Sequence, residues 1–240
     1  MGPVHLNLPR DVLAAQFENN LDLHPSSYRD MSAPAGDFEK IKQASRIISE
    51  ANKPVIIAGG GIKNTAGQTQ ALALAEELNC PIVTSPGHGD AIAFSHPLNA
   101  GQMGPRGNIV ASRLVKEADV ILALGTRLGF NSTFYSYDNI NRDAKIIHVE
   151  IEPSAIGRFF PIEVGIWGDA PTIAKQLLNS LKLSSNRKLA DKWTLQFQVE
   201  RKRYLQKRDS DAILTNPIQP TGLFKTCLLY TSDAADDSLR

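Results

Sequence analysis

The chain has 240 residues, 42% of them hydrophobic, and a formal net charge of +1 at pH 7. This length and composition allow one or two domains with a substantial core and exclude a fibrous or globally disordered protein. The balanced charge indicates no polyanionic partner, so we expect no nucleic-acid binding. No apolar run is long enough to cross a bilayer, and the first residues lack a secretion-signal pattern. We therefore expect a cytoplasmic protein that makes no membrane contact.

The two ends of the chain differ in pattern from its middle. Residues Pro3–Pro9 have the pattern of a strand, and we interpret 1–12 as the final strand of a truncated N-terminal domain. Residues 13–36 show no sustained period and are predicted to be a linker. Back-translation of 227–237 resembles a transposon-end sequencing adapter, so we expect 227–240 to be an artefact of sequencing.

Helix and strand signals alternate over residues 37–182, which we predict to be one α/β domain. The predicted helices are Asp37–Ala51 and Asn64–Leu78, each capped by its first residue, then Asn108–Glu117, a short helix after Pro153, and a closing helix capped by Asp169. The predicted strands are Pro54–Ala58, Pro81–Thr84, Val120–Leu124, Ile146–Val149 and Val164–Trp167. The Gly- and Pro-rich segments Ser85–Gly107 and Gly125–Asn141 are predicted to be irregular loops. This alternation predicts a three-layer, Rossmann-like parallel sheet.

A basic segment follows this domain. Between Arg187 and Arg208 eight Lys and Arg residues accompany two acidic residues. Leu189, Trp193, Phe197 and Tyr204 recur at helical spacing, which favours an amphipathic helix with its basic residues in solvent over a nucleic-acid contact. We assign 183–216 to a connecting helix and linker.

Three buried strands end abruptly at small or charged residues: Gly59–Gly61, Gly125–Arg127 and Glu150–Glu152. In open parallel sheets the ligand crevice lies at the carboxyl ends of the strands, so these residues are candidates for nucleotide binding. Alternatives remain for each group. The triple glycine also suits a tight turn, Arg127 also suits an ion pair with Glu150 or Asp169, and Glu150 suits either a ribose contact or helix capping.

Signals for catalysis are weak throughout the chain. His88, Asp90 and His96 do not have the spacing of a closed metal site, and we predict no metal ligands. His148 lies in the middle of a predicted strand and is interpreted as a core histidine with satisfied hydrogen bonds. No nucleophile elbow or acid–base carboxylate pair stands out. We therefore assign no catalytic residue.

Several motifs together resemble a known family. Gly2–Val12, Lys53–Gly61, Gly125–Arg127, Gly168–Ala170 and Asn216–Pro220 are similar, in order and spacing, to segments of thiamine-diphosphate enzymes of the acetolactate synthase type. The resemblance implies that 37–182 is their central domain and that 217–226 begins the diphosphate-binding domain. It also implies a cytoplasmic transferase that uses thiamine diphosphate and Mg²⁺, acts on a small molecule, and forms a homodimer or homotetramer.

The resemblance also implies a cofactor site in the central domain. FAD or ADP would contact the strand-end residues, and the implied set is Gly59, Gly60, Gly61, Gly125, Thr126, Arg127, Glu150, Ile151, Asp169 and Ala170. Gly129 stands where synthases usually carry an acidic residue, which departs from the flavin-binding pattern.

The family's catalytic glutamate and its Mg²⁺-binding Gly-Asp-Gly motif belong to its other domains, so we expect these 240 residues alone to be inactive. The resemblance favours acyl transfer to phosphate, with decarboxylation and carboligation of 2-keto acids as the alternative. A stand-alone nucleotide-binding module and a spacer with an empty crevice are further alternatives.

Overall fold

A computed structural model of the chain describes residues 5–16, 24, 27, 32–63, 65–183, 190–213 and 216–227. The chain divides into two compact units, Met1–Ser32 and Ala33–Arg240. In the first unit, helix α1 is Arg10–Ala14, and residues 5–9 have no regular structure. The strand predicted at Pro3–Pro9 is therefore wrong over its described part, because no described residue forms a ladder with it and a single strand is not stable alone.

The described part of the second unit contains one six-stranded sheet. Its strand order is β3-β2-β1-β4-β5-β6, and every adjacent pair is parallel. The strands are β1 Pro54–Ala58, β2 Ile82–Thr84, β3 Asn99–Gln102, β4 Val120–Leu124, β5 Lys145–Glu150 and β6 Val164–Trp167. This order reverses direction between β1 and β4, as in dinucleotide-binding folds. The predicted α/β class with a Rossmann-like parallel sheet is confirmed.

Helices cover both faces of the sheet. They are α2 Phe38–Ser49, α3 Thr65–Leu78, α4 Ile109–Glu117, α5 Phe130–Thr133, α6 Ala170–Lys182 and α7 Asp191–Asp211, and residues 220–227 are also helical. Two predicted caps are formed, since the side chains of Asp37 and Asp169 accept hydrogen bonds from the backbone N–H of Lys40 and Thr172. The other predicted cap, Asn64, lies outside the described residues.

The core has one layer on each face of the sheet. Alternate residues of β1 separate the layers, because Ile56 packs with α2, α3 and α6, whereas Val55 and Ile57 pack with α4 and α7. All five residues of β1 and of β4 are buried, which explains their continuous apolar runs. Among the described residues, no helix combines the length and apolarity that a membrane span requires.

Two segments predicted as irregular contain regular structure. Edge strand β3 lies within Ser85–Gly107, where the buried Asn99 amide donates to the carbonyls of Ile92 and Ala93 and its oxygen accepts from Gly101 N. These side-chain bonds support a strand that has no apolar run. The second segment, Gly125–Asn141, contains the short helix α5.

Helix α7 confirms the predicted apolar stripe over its described residues. Trp193 and Phe197 are buried, Tyr204 is half-buried, and Leu189 lies outside the described residues. Trp193 Nε1 donates to the carbonyl of Pro54 at 3.1 Å, which ties α7 to the start of β1. Arg201 differs from the solvated face expected, because its guanidinium donates to the carbonyls of Asn99 and Phe94, both at 2.7 Å.

Candidate functional site

The candidate site lies along the carboxyl ends of four adjacent strands. Gly59–Gly61 follow β1, Gly125–Arg127 follow β4, Glu150 ends β5 and Ile151 follows it, and Asp169–Ala170 follow β6. The structure thus places all ten predicted residues at one edge of the sheet. The reversal of strand order between β1 and β4 falls within this edge, where α/β folds form their ligand crevice.

Three of the glycines are needed for contact between two loops. A Cβ on Gly59 would lie 2.2 Å from the carbonyl oxygen of Gly125, and a Cβ on Gly61 would lie 2.8 Å from Gly125 Cα. The backbone N–H of Gly61 donates to Gly125 O at 3.0 Å. Gly125 also has a φ of +58°, which L side chains rarely adopt. These contacts favour the structural interpretation of Gly59, Gly61 and Gly125.

Gly60 has a different environment. The three atoms nearest to a Cβ placed there all belong to the His88 imidazole, with Cε1 at 2.8 Å. The His88 ring belongs to the loop after β2, and its Nδ1 is buried without a hydrogen-bond partner among the described residues. The open side of the glycine loop is therefore bordered by a side chain that can rotate, rather than by fixed backbone.

Thr126 and Arg127, which follow β4, differ in burial and in hydrogen bonding. Thr126 is buried and its carbonyl accepts a hydrogen bond from His148 Nε2 at 2.7 Å. Arg127 is exposed and forms no ion pair or hydrogen bond with the residues that the structure describes. The alternative pairing with Glu150 or Asp169 is therefore not formed, and the guanidinium is free to bind an anion.

Glu150, the last residue of β5, and Glu152 lie in different environments. Glu150 is only 6% exposed, and its Oε1 accepts from the backbone N–H of Ile151 at 3.0 Å. Its Oε2 has no hydrogen-bond partner among the described residues. Glu152 instead caps the turn Pro153–Ala155, and the hydrogen bonds from Ser154 lower the pKa of the Glu152 carboxyl. Capping thus belongs to Glu152, which leaves Glu150 available to a hydroxyl donor.

Asp169 is engaged by its own helix. Its Oδ2 accepts from the backbone N–H of Thr172 at 3.0 Å and from the Thr172 hydroxyl at 2.7 Å. Its backbone N–H donates to Pro34 O at 2.8 Å. Asp169 and the buried Ala170 therefore position the last helix at the edge of the site, and they leave the Asp169 backbone without a free donor.

His148 is the satisfied core histidine that its position predicts. Besides the bond to Thr126, its Nδ1 accepts from the backbone N–H of Gly157 at 3.3 Å. These two bonds fix the neutral tautomer with the proton on Nε2. Burial lowers the pKa of His148 further, against smaller opposing effects of Thr126 and Glu150. The imidazole is a structural link between β5 and the loop after β4.

Two of the three residues considered as metal ligands have other partners. Asp90 forms an ion pair with Lys63 at 2.7 Å, and His96 pairs with Glu76 at 3.1 Å. Over the part of the chain that the structure describes, no group of three His, Cys, Asp or Glu side chains is placed to hold a metal ion.

Sequence reasoning did not single out two neighbours of the site. The loop after β3 reaches the loop after β4, since a Cβ on Gly104 would lie 3.0 Å from the carbonyl oxygens of Asn131 and Ser132. An exposed aromatic group also borders the site, with Phe130 stacked on Phe134 at 4.8 Å and close to Tyr135 at 5.6 Å. The aromatic residues Phe130, Phe134 and Tyr135 were visible in the sequence, but their exposure was not.

The side chains and backbone that the fold leaves available at the carboxyl ends of the strands determine which ligand can bind there. Gly60, Arg127, Glu150 and the half-exposed Ile151 combine open backbone, a guanidinium, a carboxylate and an apolar surface. These groups fit a nucleotide, because a guanidinium binds phosphate oxygens and a carboxylate accepts from ribose hydroxyls.

Comparison with known proteins agrees with this geometry. The sequence pattern that defines the central domain of thiamine pyrophosphate enzymes matches residues 41–177. The chain belongs to this family. Thiamine pyrophosphate is another name for thiamine diphosphate, so the resemblance read from the sequence motifs is confirmed.

The relatives that this chain matches are named for two different activities. Sulfoacetaldehyde acetyltransferase of Roseovarius nubinhibens is 39% identical over 181 residues, which cover 75% of this chain and 29% of the relative. Probable sulfoacetaldehyde acetyltransferase of Rhizobium meliloti is 40% identical over 75% of this chain and 30% of the relative. A probable acetolactate synthase large subunit of Methanococcus aeolicus is 30% identical over 97% of this chain and 40% of the relative. The chain thus spans less than half the length of each relative.

Proposed function

We propose that the chain is the central domain of a thiamine-diphosphate-dependent transferase of the sulfoacetaldehyde acetyltransferase type. The observation that carries this proposal is an identity of 34–40% to sulfoacetaldehyde acetyltransferases, against 30–34% to acetolactate synthases. The segments Ser95–Leu98 and Gly125–Gly129 carry the same resemblance. The reaction would transfer an acyl group to phosphate.

Acetolactate synthase activity is the second candidate. It is supported by the match to the Methanococcus aeolicus subunit, which extends over 97% of this chain. The two candidates differ in the acceptor of the transferred group, which is phosphate in one case and a second 2-keto acid in the other. In either case thiamine diphosphate with Mg²⁺ would supply a stabilised carbanion. We propose that both groups are held by other domains of a cytoplasmic homodimer or homotetramer.

The domain itself would bind the adenine nucleotide part of FAD or ADP. In this proposal Arg127 binds phosphate oxygens, Glu150 accepts from ribose hydroxyls, and Gly60 allows close approach of the backbone. Ile151 offers apolar surface to the base. The remaining members of the predicted set, among them Thr126 and Asp169, would act by holding the loops in place.

Titration of the 240-residue chain with FAD and with ADP tests the nucleotide site. We expect saturable binding of at least one nucleotide and a Kd about tenfold higher or more in Arg127→Gln, because a hydrogen bond to a charged group contributes about 1.5–3 kcal/mol. Arg46→Gln, at an exposed position on α2, is the matched control. Absence of saturable binding would favour the spacer interpretation.

Turnover assays test the transferase proposal separately. With thiamine diphosphate, Mg²⁺, sulfoacetaldehyde and phosphate, a full-length protein that contains this domain is expected to form acetyl phosphate and to release sulfite. The 240-residue chain alone is expected to form none. If the full-length protein forms acetolactate from pyruvate and no acetyl phosphate, the result would support acetolactate synthase activity instead. Turnover by the 240 residues alone would contradict the proposed division of labour between domains.

A further inference from the structure

A cavity separate from the candidate nucleotide site opens at the β3 edge of the sheet, next to helix α7. It encloses about 250 Å³, the volume of roughly eight molecules of liquid water. Its lining comes from the end of β2, the end of β3, and the last turns of α7. None of the ten residues of the candidate nucleotide site lines it, so this cavity goes beyond the proposed function.

One residue of the cavity wall has a buried hydroxyl. Thr84, the last residue of β2, is 1% exposed and lines the cavity. Its Oγ1 has no hydrogen-bond partner among the residues that the structure describes. Buried polar groups almost always have a partner in folded proteins. The Thr84 hydroxyl is therefore suited to a polar group of a bound molecule.

Two further polar side chains on the cavity wall are available. The amide of Gln102 and the hydroxyl of Tyr204 form no hydrogen bond with the described residues, and both residues are half-buried. In contrast, the amides of Asn99 and Asn108, which also line the cavity, each donate and accept hydrogen bonds that hold β3 and cap α4. The fold therefore uses the asparagines and leaves Gln102, Tyr204 and Thr84 free.

The mouth of the cavity carries positive charge. The guanidinium groups of Arg201 and Arg208 lie 5.5 and 5.6 Å from the centre of the Phe94 ring. Arg201 binds only carbonyl oxygens and forms no ion pair with a described residue. Arg208 contacts Asp209 through Nε and Nη2 on a single carboxylate oxygen, which leaves its Nη1 available. Of the two guanidinium groups, only that of Arg208 is paired with a described carboxylate.

We propose that this cavity binds a small organic molecule bearing an oxyanion, either a phosphate ester or a carboxylate. The anionic group would bind to Arg208 at the mouth, and hydroxyl groups would reach Thr84, Gln102 and Tyr204 inside. The volume suits a molecule larger than inorganic phosphate but smaller than a dinucleotide, since sites for drug-sized ligands typically enclose about 300–1,000 Å³. Charge and polarity at the two ends would set the orientation of the ligand.

Calorimetric titration of the 240-residue chain tests the proposal with three probes: glycerol 3-phosphate, L-malate and glycerol. We expect saturable binding of glycerol 3-phosphate or of malate, and none of glycerol, because the neutral probe lacks the oxyanion. The two anionic arms distinguish a phosphate ester from a carboxylate. Amide chemical shifts of Gly101 and Gln102 in ¹⁵N-labelled protein are expected to move during the same titration, which would locate the probe.

Variants separate specific binding from general attraction of anions. Arg208→Gln is expected to raise the Kd about tenfold or more, whereas Arg203→Gln, an exposed arginine of the same helix that does not line the cavity, is expected to leave it unchanged. Thr84→Val keeps the side-chain shape, so the fold is retained, and it is expected to raise the Kd about threefold to tenfold. Equal effects of Arg208→Gln and Arg203→Gln, or no saturable binding of either anion, would overturn the proposal.

Discussion

Replacement of Gly59 by alanine tests the contact between the loops after β1 and β4. The new Cβ would lie 2.2 Å from Gly125 O, whereas ordinary contacts begin at 3.4 Å, so the two backbones must separate by about 1.2 Å. Overpacking of this kind costs about 1–3 kcal/mol. The separation also weakens the bonds from Gly59 N to Leu124 O and from Gly61 N to Gly125 O, each contributing about 0.5–1.5 kcal/mol.

We therefore expect Gly59→Ala to lower the free energy of unfolding by about 2–5 kcal/mol. For a domain of this size the corresponding decrease in Tm is about 5–20 °C. Differential scanning calorimetry and urea unfolding of the purified chain measure both quantities.

Gly129→Ala is the matched control for this experiment. Gly129 lies in the same loop region, has a φ of −74°, and would place its Cβ in open space. Alanine there is expected to change stability by less than about 1 kcal/mol, in the stabilising direction, because it restricts the unfolded chain. If Gly59→Ala and Gly129→Ala melted within 2 °C of each other, the loop contact would not have the importance that we assign to it.

Three further predictions concern buried or capping side chains. Burial lowers the pKa of His148, so this histidine binds a proton more tightly in the unfolded chain than in the folded one. The free energy of unfolding should therefore decrease as pH falls below about 6.5. Urea unfolding between pH 5 and 8 should show this pH dependence, and His148→Gln should make it weaker. Burial raises the pKa of the Cys80 thiol, so Cys80 should react with a thiol reagent only in denaturant, whereas the exposed Cys227 should react at once. Rapid reaction of both cysteines in the native protein would contradict this. Asp169→Ala should cost about 0.5–2 kcal/mol through loss of the α6 cap, measured against Glu163→Ala at an exposed position.

Local chemistry explains why much of the fold was predictable from the sequence. A strand covered on both faces needs apolar side chains at every position, so β1 and β4 were identified with their bounds nearly correct. A helix start needs an acceptor for its free N–H groups, so Asp37 and Asp169 were identified as caps. In both cases the residues that decide the structure are neighbours in the sequence.

Contacts between distant segments explain what was missed. Strand β3 has the sequence Asn-Ala-Gly-Gln and depends on pairing with β2 and on the Asn99 amide, neither of which leaves a periodic signal. Likewise, the position of Gly59 at a strand end was predictable, but its approach to Gly125, 66 positions later in the sequence, was not. The role of Arg201 in binding the carbonyls of the β3 edge was hidden for the same reason.

The candidate nucleotide site divides into residues that the fold uses and residues that it leaves free. Gly59, Gly125 and Asp169 are held by contacts that would exist without any ligand, so substitutions there should lower stability and alter binding only as a consequence. Arg127 forms no hydrogen bond or ion pair with the described residues, and Glu150 has a free carboxylate oxygen. Arg127→Gln should therefore weaken nucleotide binding while the Tm stays within about 2 °C, as expected for an exposed position without hydrogen-bond partners. Glu150→Gln keeps an oxygen that can accept from the Ile151 N–H, so it should weaken binding and lower stability much less than Gly59→Ala does. A loss of stability equal to that of Gly59→Ala would instead assign Arg127 and Glu150 to the structural group, and the case for a nucleotide would then lose its main support.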